Sequence, residues 1–84
     1  KIVRTSGIIT RVREHTTKAG GLMAFLTLGD NSGEIDVTVF PKQWDDLQYK
    51  IETDSIVKMG GKIDQYKDKI QLVCNWCDIV ENSF

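Results

Sequence analysis

The sequence predicts an all-β fold class, five strands curved into one small barrel with a single short helix between the third and fourth strands. Three observations carry that expectation. The stretches 22–28 and 34–40 alternate strictly in character, a proline after the second of them opens a helical apolar stripe, and Gly-rich or polar turns separate β-branched runs before and after it.

Taken in order, residues 2–13 (IVRTSGIITRVR) are rich in β-branched side chains with Gly7 among them, which predicts a long first strand. An interior glycine in such a strand marks a bend or bulge, by which one strand serves two parts of a curved sheet. His15 to Gly21 is polar and ends in Gly20-Gly21, a loop. In the second strand Leu22, Ala24, Leu26 and Leu28 form the core face and Met23, Phe25 and Thr27 the other. Gly29 to Gly33 is a turn, and the third strand sends Ile35, Val37 and Val39 one way and Glu34, Asp36, Thr38 and Phe40 the other.

Pro41 suits the first turn of a helix, and Trp44, Leu47 and Ile51 make one apolar stripe about two turns long. Phe40, beside Pro41, is expected to pack on the helix end. Residues 55–63 form a fourth strand, with Val57, Met59 and Ile63 on one side, Lys58 and Lys62 on the other, and Gly60-Gly61 marking curvature. After a polar turn at Asp64 to Asp68, Lys69 to Val80 forms the fifth strand. Its inward parity is not legible, because Ile70, Leu72, Val73, Cys74, Trp76 and Ile79 obey no single period. This order of elements is that of the OB fold, a five-stranded, partly open Greek-key barrel whose helix plugs one end.

The 84 residues suffice for one domain, residues 1–84, and the start at Lys1 rather than Met reads as a piece of a longer protein. With neither a signal segment nor a long apolar run, the expected setting is cytoplasmic, with no membrane partner and a monomeric isolated domain. The net charge of −1 argues against strong non-specific binding to nucleic acid. Its distribution is uneven, however. Residues 1–18 carry a balance of +4 and residues 58–69 of +2, against −5 in residues 30–54. Such a dipole orients on a polyanion while binding it weakly.

The segments Gly7 to Arg13, Thr17 to Leu28, Asp30 and Gly33 to Pro41 together resemble the OB domain of the bacterial replicative DNA polymerase III alpha subunits. The resemblance spans nearly the whole chain and is most specific in the pattern TKxG…MAFxTLxDxxGxIxVxVFP. It implies a non-catalytic module that binds single-stranded DNA as template, in a parent that is a DNA-directed DNA polymerase, a nucleotidyltransferase, whose remainder and other replisome subunits are the further partners. More distantly, Gly20 to Asp30 is similar to the anticodon-binding OB domains of class II aminoacyl-tRNA synthetases. In that pattern a base-stacking aromatic falls on Phe25 and a polar base contact on Asp36, where the synthetases carry a neutral amide.

OB barrels bind on the face of strands two and three, between two flanking loops. Phe25 is the expected stacking platform, with Met23, Thr27 and Thr38 around it. Arg11, Arg13, His15 and Lys18, with Thr16 and Thr17, form the first flank, where arginine pairs with phosphate or lies on a base plane. Tyr66, Lys67 and Lys69 form the second. The alternative for the basic clusters is a solvated surface, and for Phe25 burial at a barrel end.

Cys74 and Cys77 (CNWC) lack the further ligands a zinc site needs. On a regular strand residues three apart point to opposite faces, roughly 10 Å apart, too far for a disulfide. No cofactor, metal or catalytic constellation is expected. Protein docking within the replisome, through the acidic middle, and anticodon binding are the alternative functions.

Overall fold

A computed structural model describes residues 2–30, 32–66 and 68–81, with only the backbone described for residues 66 and 81. The elements follow the expected order: β1 (Ile2–Thr16), β2 (Leu22–Asp30), β3 (Gly33–Val39), α1 (Pro41–Leu47), β4 (Ile56–Tyr66) and β5 (Lys69–Glu81). The strands close a barrel in the order β1-β2-β3-β5-β4. Every pairing is antiparallel except β3 with β5, a short parallel contact of Asp36, Val37 and Thr38 with Gln71, Leu72 and Val73. That contact closes the barrel.

β1 serves two partners: Ile2 to Ile8 pair with β4 and Ile8 to Thr16 with β2. The irregularity that sequence reasoning assigned to Gly7 lies three residues on, at Thr10, which is skipped between the pairs Ile9–Leu28 and Arg11–Thr27. The inserted residue flips parity. Ile9 is completely buried, yet Arg11 and Arg13 are exposed and Val12 turns inward. The segment before β4 braces the irregularity, since Ile9 N–H donates to the Ser55 carbonyl at 2.9 Å and Asp54 N–H to the Ile9 carbonyl at 2.6 Å. β1 also runs on to Thr16, so His15 belongs to the strand rather than to the loop.

A second extra residue resolves the parity of β5. Gly60 pairs with Trp76 and Gly61 with Cys74, leaving Asn75 unpaired. Leu72 and Cys74 therefore face the core before the bulge, and Cys77 and Ile79 pack against it after. The expectation that the two thiols point to opposite faces is thereby corrected: the bulge puts both on the core side, and both are free. Gly61 is required at the bulge, because a Cβ there would collide with the Val73 carbonyl oxygen.

Inside, Ala24, Leu26 and Leu28 of β2 meet Val37 and Val39 of β3 and Val57 and Met59 of β4, all buried. Pro41 occupies the first turn of α1 after Phe40, the extended N-cap residue. Trp44, Leu47 and Ile51 then seal one end of the barrel, Ile51 from the turn just beyond the helix, where its N–H donates to the Leu47 carbonyl. Trp44 N-ε1 also donates to Glu14 O-ε2 at 3.0 Å, tying the helix to β1.

Two apolar side chains depart from expectation. Phe40 is 48% exposed rather than packed on the helix end, since it continues the outward row of β3 two residues beyond Thr38. Ile63, with the parity of Val57 and Met59, is 43% exposed, and among the described residues the pairing of β4 with β1 reaches only to Lys62.

Candidate nucleic-acid interface

The Thr10 bulge and the hairpin registers assemble one outward face. Arg11 pairs with Thr27, Arg13 with Phe25 and His15 with Met23 across β1 and β2. Phe25 then pairs with Thr38 and Thr27 with Asp36 on β3, and Asp36 and Thr38 with Gln71 and Val73 on β5. Four strands thus contribute to one surface, with Phe25 near its middle.

The Arg13 guanidinium carbon lies 5.3 Å from the centroid of the Phe25 ring, within cation–π range. The His15 ring stands 6.2 Å away on a 46° tilt. A groove of about 360 Å³ runs beside the aromatic, lined by Arg11, Arg13, Thr27, Asp36, Lys69 and Gln71 among others. Cations border it on β1 and at the start of β5, with the Asp36 carboxylate between them. Next to it, a space of about 390 Å³ shares Arg11, Thr27 and Asp36 but ends at Glu34, which accepts a hydrogen bond from the Thr10 hydroxyl at 3.3 Å. The face is therefore basic at one end and acidic at the other.

Of the residues singled out from sequence, Arg11, Arg13, Phe25, Thr27 and Lys69 line this groove together, and His15 joins them through the Phe25 ring. Met23 and Thr38 are on the same face but are only 8% and 5% exposed, so they form its floor rather than its contact surface. Lys18 is exposed at the tip of the β1–β2 loop, outside the groove lining. Thr17 shapes that loop: its N–H donates to the Gly21 carbonyl at 2.7 Å and its hydroxyl accepts from Gly21 N–H at 3.1 Å. The side chain of Tyr66, and Lys67, lie outside the described residues.

Sequence reasoning missed two residues of this face. Gln71 lines the groove, accepts a hydrogen bond from the Thr38 hydroxyl at 2.9 Å and donates to Asp64 at 3.5 Å. It was hidden by the unreadable parity of β5. Phe40, with the parity of Thr38, is expected from its neighbour Pro41 to pack on the helix end, yet it lies 48% exposed.

A family model described as the OB-fold nucleic acid binding domain matches residues 3–80. The chain belongs to this family. Among curated proteins the OB domain is 32% identical over 75 residues to the DNA polymerase III subunit alpha of Bacillus subtilis (strain 168), covering 89% of this chain and 7% of that protein. It is 30% identical over 63 residues to the DNA polymerase III subunit alpha of Escherichia coli (strain K12), covering 75% of this chain and 5% of that protein. The chain thus spans a small fraction of these relatives. Among solved structures, the mitochondrial single-stranded DNA binding protein Rim1 of S. cerevisiae superposes with a TM-score of 0.80 at 17% identity, over 99% of this chain and 96% of that one. A second crystal form gives 0.76 at 15% identity, over 99% and 98%. At that identity the likeness establishes the fold.

Among the described residues no group of three or more His, Cys, Asp or Glu side chains could hold a metal, and no helix is long and apolar enough to cross a membrane. Burial pushes the Cys74 thiol up to about 11 and the Cys77 thiol up to about 12, the latter helped by Cys74 and Asp78 nearby. Neither is poised as a thiolate nucleophile.

Proposed function

We propose that this OB domain is a non-catalytic single-stranded DNA binding module of a bacterial replicative DNA polymerase III alpha subunit, acting in the cytoplasm on template strand. The observation that carries the reading is Phe25, half-buried and held beneath Arg13 in a groove with Arg11 and Lys69 on its borders. A base stacks on the ring, and the guanidinium turns to the adjacent phosphate. Because any base has a π-face, the contact is tolerant of sequence. Asp36 holds phosphates away from the groove centre, so the backbone tracks Arg11, Arg13 and Lys69. The sequence similarity to polymerase subunits and the barrel's likeness to a single-stranded DNA binding protein support this assignment. The template-strand role, the polymerase setting and the cytoplasmic location are parts of the same proposal.

Chemical-shift mapping with unlabelled oligo(dT) at low salt tests it. The proposal expects shifts concentrated on Arg11, Arg13, Phe25, Thr27 and Gln71. Shifts confined to the acidic residues 42–54, or none, would instead favour protein docking.

A further inference from the structure

The Asn75 bulge has a second effect, on the outer surface. It turns Trp76 away from the core, and the indole settles over Gly60, where an added Cβ would collide with its N-ε1. Trp76 is 37% exposed, whereas Trp44 is only 2% exposed. Gly60 pairs on its other side with Arg4, so Arg4, Gly60 and Trp76 form one row across β1, β4 and β5. The next row is Ser6, Lys58 and Asp78. A groove of about 330 Å³ beside the indole is lined by Arg4, Thr5, Ser6, Lys58 and Trp76, two cations and an aromatic with no carboxylate among the described lining residues.

This patch is continuous with the Phe25 groove. On β5 the outward side chains run from Lys69 and Gln71, which line that groove, through Val73 to Trp76. Lys62, exposed on β4, pairs with Val73 along the way. Gln71 and Trp76 are roughly 15 Å apart along the strand. An OB domain typically occupies about 4–16 nucleotides, enough for one strand to reach both places.

We infer that Trp76, flanked by Arg4 and Lys58, is a second stacking position for single-stranded nucleic acid, reached along β5 past Lys62 from the Phe25 groove. The inference rests on the binding function proposed above. The indole, seated against Gly60 and 37% exposed, offers its accessible part to a base, and the neighbouring cations face the phosphates on either side. Asp78, in register with Lys58, bounds the patch on its far side.

The test uses the whole chain with oligo(dT) of about four and about fifteen nucleotides, following tryptophan emission and affinity. Because Trp44 is buried, quenching by DNA reports Trp76. The longer oligomer is expected to quench emission and the shorter one to do so far less. Trp76→Ala should weaken the longer oligomer about 5- to 100-fold with little effect on the shorter, while Trp76→Phe largely restores it. Lys58→Glu, a surface change that leaves the indole in place, should weaken only the longer oligomer. Equal affinity of wild type, Trp76→Ala and Lys58→Glu for the longer oligomer, without quenching, would overturn the inference and leave the patch to a protein neighbour. In that case a loss confined to Phe25→Ala would leave the primary site standing. Binding of neither oligomer to the wild type would overturn both.

Discussion

Arg13 lies over the ring of Phe25, its guanidinium carbon 5.3 Å from the centroid, and the two residues are direct cross-strand partners of β1 and β2. The pairing depends on the residue skipped at Thr10. Without it, Arg13 would share the inward parity of Ile9, and the aromatic would have no cation above it. One inserted residue therefore turns a strand end into half of the groove proposed to bind single-stranded DNA.

Asp36 lies in the lining of that groove, where its negative charge opposes the proposed DNA binding. Replacing it by the isosteric amide removes a charge that repels phosphate and partly neutralises Arg11, Arg13 and Lys69. Asp36→Asn is expected to tighten oligo(dT) binding about threefold or more at low salt, an advantage that fades as salt screens it. Fluorescence anisotropy at two salt concentrations measures this, and weaker binding would instead make Asp36 a base contact.

Binding should also respond steeply to salt. Each phosphate neutralised on a single strand contributes about −0.7 to the slope of log K against log salt, so three or four contacts predict about −2 to −3. Lys69→Ala should make the slope shallower by about 0.7 without changing base preference. A titration series in potassium chloride reads both effects.

Asp54 is the one described non-glycine residue with a positive φ, 73°, and its N–H holds the Ile9 carbonyl next to the bulge. The left-handed conformation disfavours β-branched side chains most. Asp54→Val is expected to lower stability by about 1–2 kcal/mol, whereas Asp54→Gly should be close to neutral or stabilising. Urea melts compare them. The same distortion should weaken DNA binding, because the bulge that orients Arg11 and Arg13 loses its brace.

Cys74 and Cys77 give a pH signature. Both folded-state thiols titrate above the ordinary value of 9.0, at about 11 and about 12, so the folded chain keeps protons that the unfolded chain releases. Their contribution to stability is whole below about pH 9 and is lost progressively as pH rises towards 12. Denaturant melts between pH 8 and 11 should show a steeper alkaline decline for the wild type than for a Cys74→Ala, Cys77→Ala double variant. At pH 8 the native thiols should react with a disulfide reagent far more slowly than the unfolded chain.

The barrel was legible in the sequence because β2 and β3 alternate without interruption and Pro41 separates them from the Trp44 stripe. What was not legible lies at the irregularities. The inserted residue of a bulge has no required type, so neither Thr10 nor Asn75 advertised itself, although Gly60-Gly61 opposite Asn75 did mark curvature. Everything beyond each changed face: Cys77 came to the core and Trp76 left it. Gln71 was obscured because apolar residues occupy both parities of β5. The outward direction of Phe25 was legible from its mixed polar neighbours by parity, but Met23 and Thr38, with the same parity, are only 8% and 5% exposed. Alternation assigns a face and not the depth on it.

The most direct test of the central claim is the affinity of the wild-type chain and of Phe25→Ala for fluorescent oligo(dT) at low salt, with folding of both verified by circular dichroism. Stacking on Phe25 predicts micromolar-range, salt-sensitive binding that the substitution weakens by about 1–3 kcal/mol. Equal affinity of the two proteins, or no binding by the wild type at high micromolar concentration, would contradict it.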